Sequence, residues 1–119
     1  MYQIERIEKH QYEDIYTLSL SENKTKISVE IPAVLFEDLD IDPLKVSKAE
    51  VLVSGEKPDL ELWDVVLRAT VFDIKKEDDI ETIYASAGGL QIRIRNPKSR
   101  ELMKSEKIYI ALKFKTRKA

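Results

Sequence analysis

Two adjacent glycines, Gly88 and Gly89, separate two runs of alternating residues: Ile83-Tyr-Ala-Ser-Ala before them and Leu90-Gln-Ile-Arg-Ile-Arg after them. Alternation of this kind has the period of a strand, whose successive side chains point to opposite faces. Glycine lacks the Cβ that makes a positive φ costly, so a glycine pair between two such runs signals a hairpin or a bulge. The stretch therefore predicts two strands around a sharp corner. It specifies a shape and leaves the chemistry open.

The same period recurs along the chain. Tyr2 to Lys9, Ile15 to Ser21, Thr25 to Ile31, Val46 to Ser54, Trp63 to Lys75, Ile80 to Ala87, Leu90 to Arg95 and Lys107 to Lys115 each read as a strand. The split is cleanest in the third, where Ile27, Val29 and Ile31 alternate with Lys26, Ser28 and Glu30. Trp63 to Lys75 differs in being apolar in both registers, with Trp63, Val65, Leu67, Ala69 and Val71 in one and Val66, Phe72 and Ile74 in the other. A strand covered on both sides, or one bent through a barrel wall, produces that pattern. Polar connections fall between the runs at Gln11 to Asp14, Ser21 to Lys24 and Lys75 to Asp79. Pro32 to Asp38 reads as a short helix, because the fixed φ of proline suits a first helical turn, and it places Val34 and Leu35 on the core. Pro97 to Ser105 has room for one or two helical turns. Eight short strands with little helix predict one all-β domain over residues 1–119, a small closed or partly open barrel related to the oligonucleotide/oligosaccharide-binding fold.

Charge is distributed unevenly. Residues 1–90 carry a net −10 and residues 91–119 a net +8, so the overall −2 conceals a basic last quarter. Such a tract either balances the acidic body as a solvated face or docks an acidic partner or a nucleic acid. The absence of cysteine excludes disulfides and thiolate chemistry and suits a reducing interior, and no apolar run approaches the roughly 18 residues of a membrane span. These features together read as a cytosolic protein with no membrane partner.

A search for reaction chemistry returns little. His10 is the single histidine and stands in a polar stretch, where it reads as a surface residue rather than a base or a ligand. The serines and threonines therefore have no histidine array to activate them, and neither a G-x-S-x-G elbow nor a phosphate-cradling glycine loop is present. Asp38, Asp40 and Asp42 alternate as in a calcium loop but lack the glycine of its turn and the following bidentate glutamate. No cofactor, metal or small-molecule substrate is expected, and the chain reads as non-catalytic. What remains is binding: if Leu90–Arg95 and Lys107–Lys115 expose their polar registers on a shared side, Arg93, Arg95, Tyr109, Lys113 and Lys115 form a basic patch with one stacking aromatic.

The run Tyr84-Ala-Ser-Ala-Gly-Gly-Leu-Gln-Ile-Arg-Ile, followed after a spacer by Ile108-Tyr-Ile-Ala-Leu-Lys-Phe-Lys, resembles the C-terminal half of the eighth subunit of archaeal and eukaryotic RNA polymerases. Trp63-Asp-Val-Val-Leu-Arg-Ala-Thr-Val-Phe-Asp-Ile is similar to the strand that precedes that motif, so the resemblance covers about Trp63 to Lys115. The chain departs from the family's pattern at Ala87, at Ala69 and over Leu60-Glu-Leu-Trp-Asp, and it lacks the longer acidic insertion of eukaryotic members near Gly55 to Leu62. The resemblance implies an archaeal, non-catalytic subunit of a DNA-directed RNA polymerase, a barrel docked on the largest subunit that supports assembly in transcription. On that footing Tyr84, Gly88, Gly89, Leu90, Arg93, Arg95 and Tyr109 are the candidate partner-binding residues. The glycines and Leu90 shape the docking region, and the arginines supply ion pairs. The alternative is a free-standing barrel that binds single-stranded nucleic acid.

Overall fold

The computed structural model describes residues 1–116. The end of the basic last quarter, beyond residue 116, lies outside the described residues. The described residues form eight strands: β1 (Tyr2–Lys9), β2 (Ile15–Glu22), β3 (Thr25–Pro32), β4 (Val46–Ser54), β5 (Val65–Glu77), β6 (Ile80–Ala87), β7 (Leu90–Arg95) and β8 (Lys107–Thr116). They pair antiparallel throughout and close into a barrel in the order β1-β2-β3-β7-β6-β5-β8-β4. Inward residues fill the barrel as side chains must in one this size, with Leu18, Val29, Ile31, Ile83, Ile108, Ile110 and Leu112 fully buried. Each such aliphatic side chain contributes about 1.5–3 kcal/mol by leaving water.

Both ends are plugged. The one α-helix among the described residues, α1 (Ala33–Asp38), closes the end where β2 and β4 begin, and a short 3-10 segment, Arg100–Lys104, closes the other with buried Leu102. In α1 the buried residues are Ala33 and Phe36, one turn apart, whereas Val34 is 49% exposed and Leu35 is half-buried. The expected core role of Val34 is thus corrected. A helix of six residues presents a single turn to the barrel, and the i, i+3 pair takes it. Pro32 ends β3 instead of opening the helix.

β5 explains the doubly apolar run. Trp63 is not part of the strand: it ends a 3-10 turn at Leu60–Leu62, and β5 starts at Val65. The register against β6 then slips between Val71 and Asp73, so Phe72 bulges outward, 61% exposed, and Ile74 takes the inward phase opposite Ile83. A bent barrel wall, not a strand covered on both faces, is the source of the pattern. β5 continues to Glu77, which narrows the expected charged turn of Lys75 to Asp79 to Asp78 and Asp79.

Those two aspartates sit at φ 49° and 63°, the left-handed region that suits a two-residue hairpin but costs a residue with a Cβ. Asp79→Gly should therefore raise stability by about 0.5 kcal/mol, the relief of left-handed strain exceeding the extra unfolded-state entropy of glycine. A urea midpoint unchanged or lower than that of the parent would contradict this.

Asp64, just before β5, binds the next strand through both its backbone and its side chain. Its N–H donates to the carbonyl of Leu112 at 2.9 Å, and its Oδ2 accepts from the N–H of Phe114 at 2.8 Å, so the carboxylate continues the β5–β8 ladder past the end of the strand.

Candidate functional site

Gly88 and Gly89 form a two-residue turn closing β6 and β7, with Ala87 opposite Leu90. Their φ values of +57° and +92° fit a type I′ turn, the hairpin type whose twist matches that of the strands it joins. A Cβ at either position would meet nothing within 4 Å, so their requirement is conformational and not steric crowding. The expected corner is therefore a hairpin turn in open space, with half-buried Leu90 behind it.

From this turn the two strands carry Tyr84, Arg93 and Arg95 onto the outer wall. Tyr84 stands opposite Arg93 and Thr82 opposite Arg95; on the far side of β7, Arg93 faces Ser28 and Arg95 faces Lys26. Lys75 reaches in from β5, 5.4 Å from the Tyr84 ring centroid and 3.8 Å from Asp73, and Phe72 lies 6.4 Å from the same ring. Two shallow hollows of about 230 and 260 Å³ flank the arginine row, the first with Lys75, Glu77, Thr82 and Tyr84, the second with Glu5, Ser19, Lys26 and Ser28. Arg93, Arg95 and Lys26 are exposed and make no ion pair among the described residues, although Glu5 and Glu77 at the rims temper the local charge. Tyr84, Arg93 and Arg95 thus form one cationic and aromatic surface, open to a carboxylate or a phosphate.

Tyr109 does not belong to it. It lies on β8 between Ser54 and Arg68, and β8 is three strands from β7 around the barrel. The shared basic patch of Arg93, Arg95, Tyr109, Lys113 and Lys115 is accordingly corrected: Lys113 and Lys115 face Glu50 and Lys48 on β4, another part of the wall. Two hairpins supply the arginine surface with residues the alternation alone did not single out, Lys26 and Ser28 from β3 and Lys75 from β5. Only the strand order reveals that they meet.

His10 is half-buried rather than a bare surface residue. Its Nε2 lies 2.6 Å from Thr17 Oγ1 and 3.4 Å from Glu30, whose Oε1 accepts the N–H of Gln91 at 2.6 Å. The histidine and glutamate therefore tie β2, β3 and β7 together at a point where the β3–β7 ladder has ended. Asp42 caps a short turn by accepting the N–H of Leu44 at 3.0 Å, so one member of the alternating acids has a local structural task. Among the described residues no three His, Asp or Glu side chains converge as metal ligands would. At the other end of β1, burial pushes the Tyr2 hydroxyl above its ordinary pKa. Compared with models of protein families and with curated proteins, the chain matches none of them. No described helix is long and apolar enough to cross a membrane.

Proposed function

We propose that this chain is a non-catalytic accessory subunit of an archaeal DNA-directed RNA polymerase, a barrel related to the oligonucleotide-binding fold that docks on the largest subunit and supports the assembly. The observation that carries the reading is the β6–β7 hairpin. The Gly88-Gly89 turn closes the ladder that aligns Tyr84 with Arg93, and this is the segment in which the resemblance is densest. Arginines without an ion-pair partner among the described residues, next to a half-buried tyrosine, have the composition of a protein interface, where arginine and tyrosine are enriched. A free-standing single-strand binder is the competing reading. It is weakened by the separation of Tyr109 from the arginine row, since sequence-tolerant binders stack successive bases on several aromatics along one groove.

A tagged copy expressed in the organism that encodes the chain should co-purify with the large polymerase subunits, identified by mass spectrometry. Reversing both charges, Arg93→Glu with Arg95→Glu, should lower their retention by roughly tenfold or more through lost pairing and added repulsion, while the thermal midpoint stays near that of the parent. A tagged parent that elutes free of polymerase overturns the proposal. Steep, salt-dependent binding of single strands by that free chain would favour the competing reading.

A further inference from the structure

The barrel closes between β1 and β4 by two residue pairs, Tyr2 with Ala49 and Gln3 with Lys48. β4 runs on to Ser54 with β8 on one side and, among the described residues, no strand on the other. The hydrogen-bonding polarity of this stretch follows from β8. Leu112 and Phe114 bond Asp64 on the β5 side, and residues of a strand alternate sides, so Ala111 and Lys113 turn toward β4 and bond their partners Leu52 and Glu50. Val51 and Val53 then present their N–H and C=O groups away from β8, into the gap, where no strand among the described residues pairs with them.

Along that edge opens a cavity of about 400 Å³ with an apolar floor of Ile27, Ile94 and Leu102. Val51 and Val53 share the inward row of Ala49, yet they are only half-buried while Ala49 is fully buried. At the rim Glu22 meets both Lys98 and the Met1 amino group, and Glu50 pairs with Lys115. The site therefore offers unpaired backbone groups above an apolar floor, and each of these rim cations already faces a carboxylate.

β5 also has an open edge, of a different character. From Phe72 to Glu77, β5 is flanked by β6 alone, but that edge carries a bulge and Asp73, Lys75, Lys76 and Glu77. Bulges and charges are the usual devices that keep an edge from pairing with another chain. The edge from Val51 to Ser54 has neither.

We propose that this gap is a docking site for an extended segment of a partner protein, which adds to β4 as a strand in line with β1 and antiparallel to β4. Its side chains opposite Val51 and Val53 are apolar and enter the cavity, and its backbone takes up the N–H and C=O groups of those two valines. A polypeptide is favoured over a nucleic acid or a small molecule because the exposed groups repeat at the spacing of a strand and Lys98, Lys115 and the Met1 amino group at the rim are each already engaged by a carboxylate. The inference is independent of the polymerase reading.

Fusing Thr-Val-Thr-Val directly ahead of Met1 of the full chain extends β1 into the gap at high effective concentration and, in the register that sets Tyr2 against Ala49, puts its two valines opposite Val51 and Val53. Hydrogen exchange at the amides of Val51 and Val53 should slow by roughly tenfold or more, while a Gly-Ser extension of the same length leaves it unchanged. An extension with aspartate in place of both valines should also give no protection. The proposal is overturned if the Val-containing extension gives no slowing, or if the aspartate version protects equally. Slowing in the unfused chain that grows with protein concentration would identify a second copy as the occupant and overturn it as well.

Discussion

Phe36→Ala should destabilise the protein by about 3–5 kcal/mol, the largest loss expected from a single side chain outside the strands. Phe36 is 2% exposed, meets the Tyr16 ring edge-on at a centroid distance of 5.6 Å and lies 5.3 Å from the Phe114 ring. Those rings belong to the start of β2 and the end of β8, so a short helix gains its place by joining two strands that are distant in the chain. Six residues are too few for a helix to hold itself in water, and the backbone of α1 depends on this contact. Removal of the ring leaves a cavity at the barrel end that the two remaining aromatics fill only in part. Urea unfolding with the free energy extrapolated to water measures the loss. A change below about 1 kcal/mol would mean that the helix is not part of the core. Val34→Ala, at a half-exposed position on the same helix, should fall within about 0.5 kcal/mol of the parent.

The contrast between Phe36 and Val34 also shows where sequence reading works in this chain and where it stops. In Thr25–Ile31 the inward residues Ile27, Val29 and Ile31 are all buried, because a period of two names a face without reference to any other strand. In a helix of one turn there is no second turn to reveal a period, and nothing local ranks Phe36 above Val34. Hairpin neighbours are likewise legible: β1 with β2, β2 with β3, β5 with β6, and β6 with β7 are joined by short turns. The pairings of β3 with β7, β4 with β8, β5 with β8 and β1 with β4 bring together residues far apart in sequence, and alternation carries no record of them. The arginine row can therefore be read from the chain, but its neighbours Lys26 and Lys75 cannot, and Tyr109, which alternation groups with the arginines, lies on another part of the wall. The gap beside Val51 and Val53 is invisible in the sequence for the same reason. It exists because β1 stops short of β4's end, a mismatch between two strands rather than a property of either.

Gly89→Val is expected to cost about 1–3 kcal/mol, and the sign follows from the backbone alone. At φ +92° Gly89 lies beyond the left-handed helical region that asparagine or aspartate tolerates, and a β-branched side chain is the least suited to it. Because a Cβ there would meet no atom within 4 Å, repacking of a neighbour cannot explain a loss or relieve it. Gly88, at φ +57°, sits inside that region, so Gly88→Asn should change stability by less than about 0.5 kcal/mol and leave an Asn-Gly turn of the favoured kind. The two substitutions thus separate conformational strain from the mere loss of glycine. Strain at the turn also bears on the outer wall, since the turn closes the ladder that holds Tyr84 opposite Arg93 and Thr82 opposite Arg95. A slip of one residue would turn the arginines inward and Ile92 and Ile94 out, exchanging a buried row for a charged one, so the folded state resists slipping and the strain appears as lost stability. Gly89→Val should accordingly lower the unfolding midpoint while cross-peaks between the amide and Hα protons of Tyr84 and Arg93 persist in the nuclear Overhauser spectrum. Equal midpoints for Gly89→Val and the parent would show that the turn does not require its positive φ, and loss of the Tyr84–Arg93 cross-peaks would show that the register is set by the turn alone rather than by the buried isoleucines.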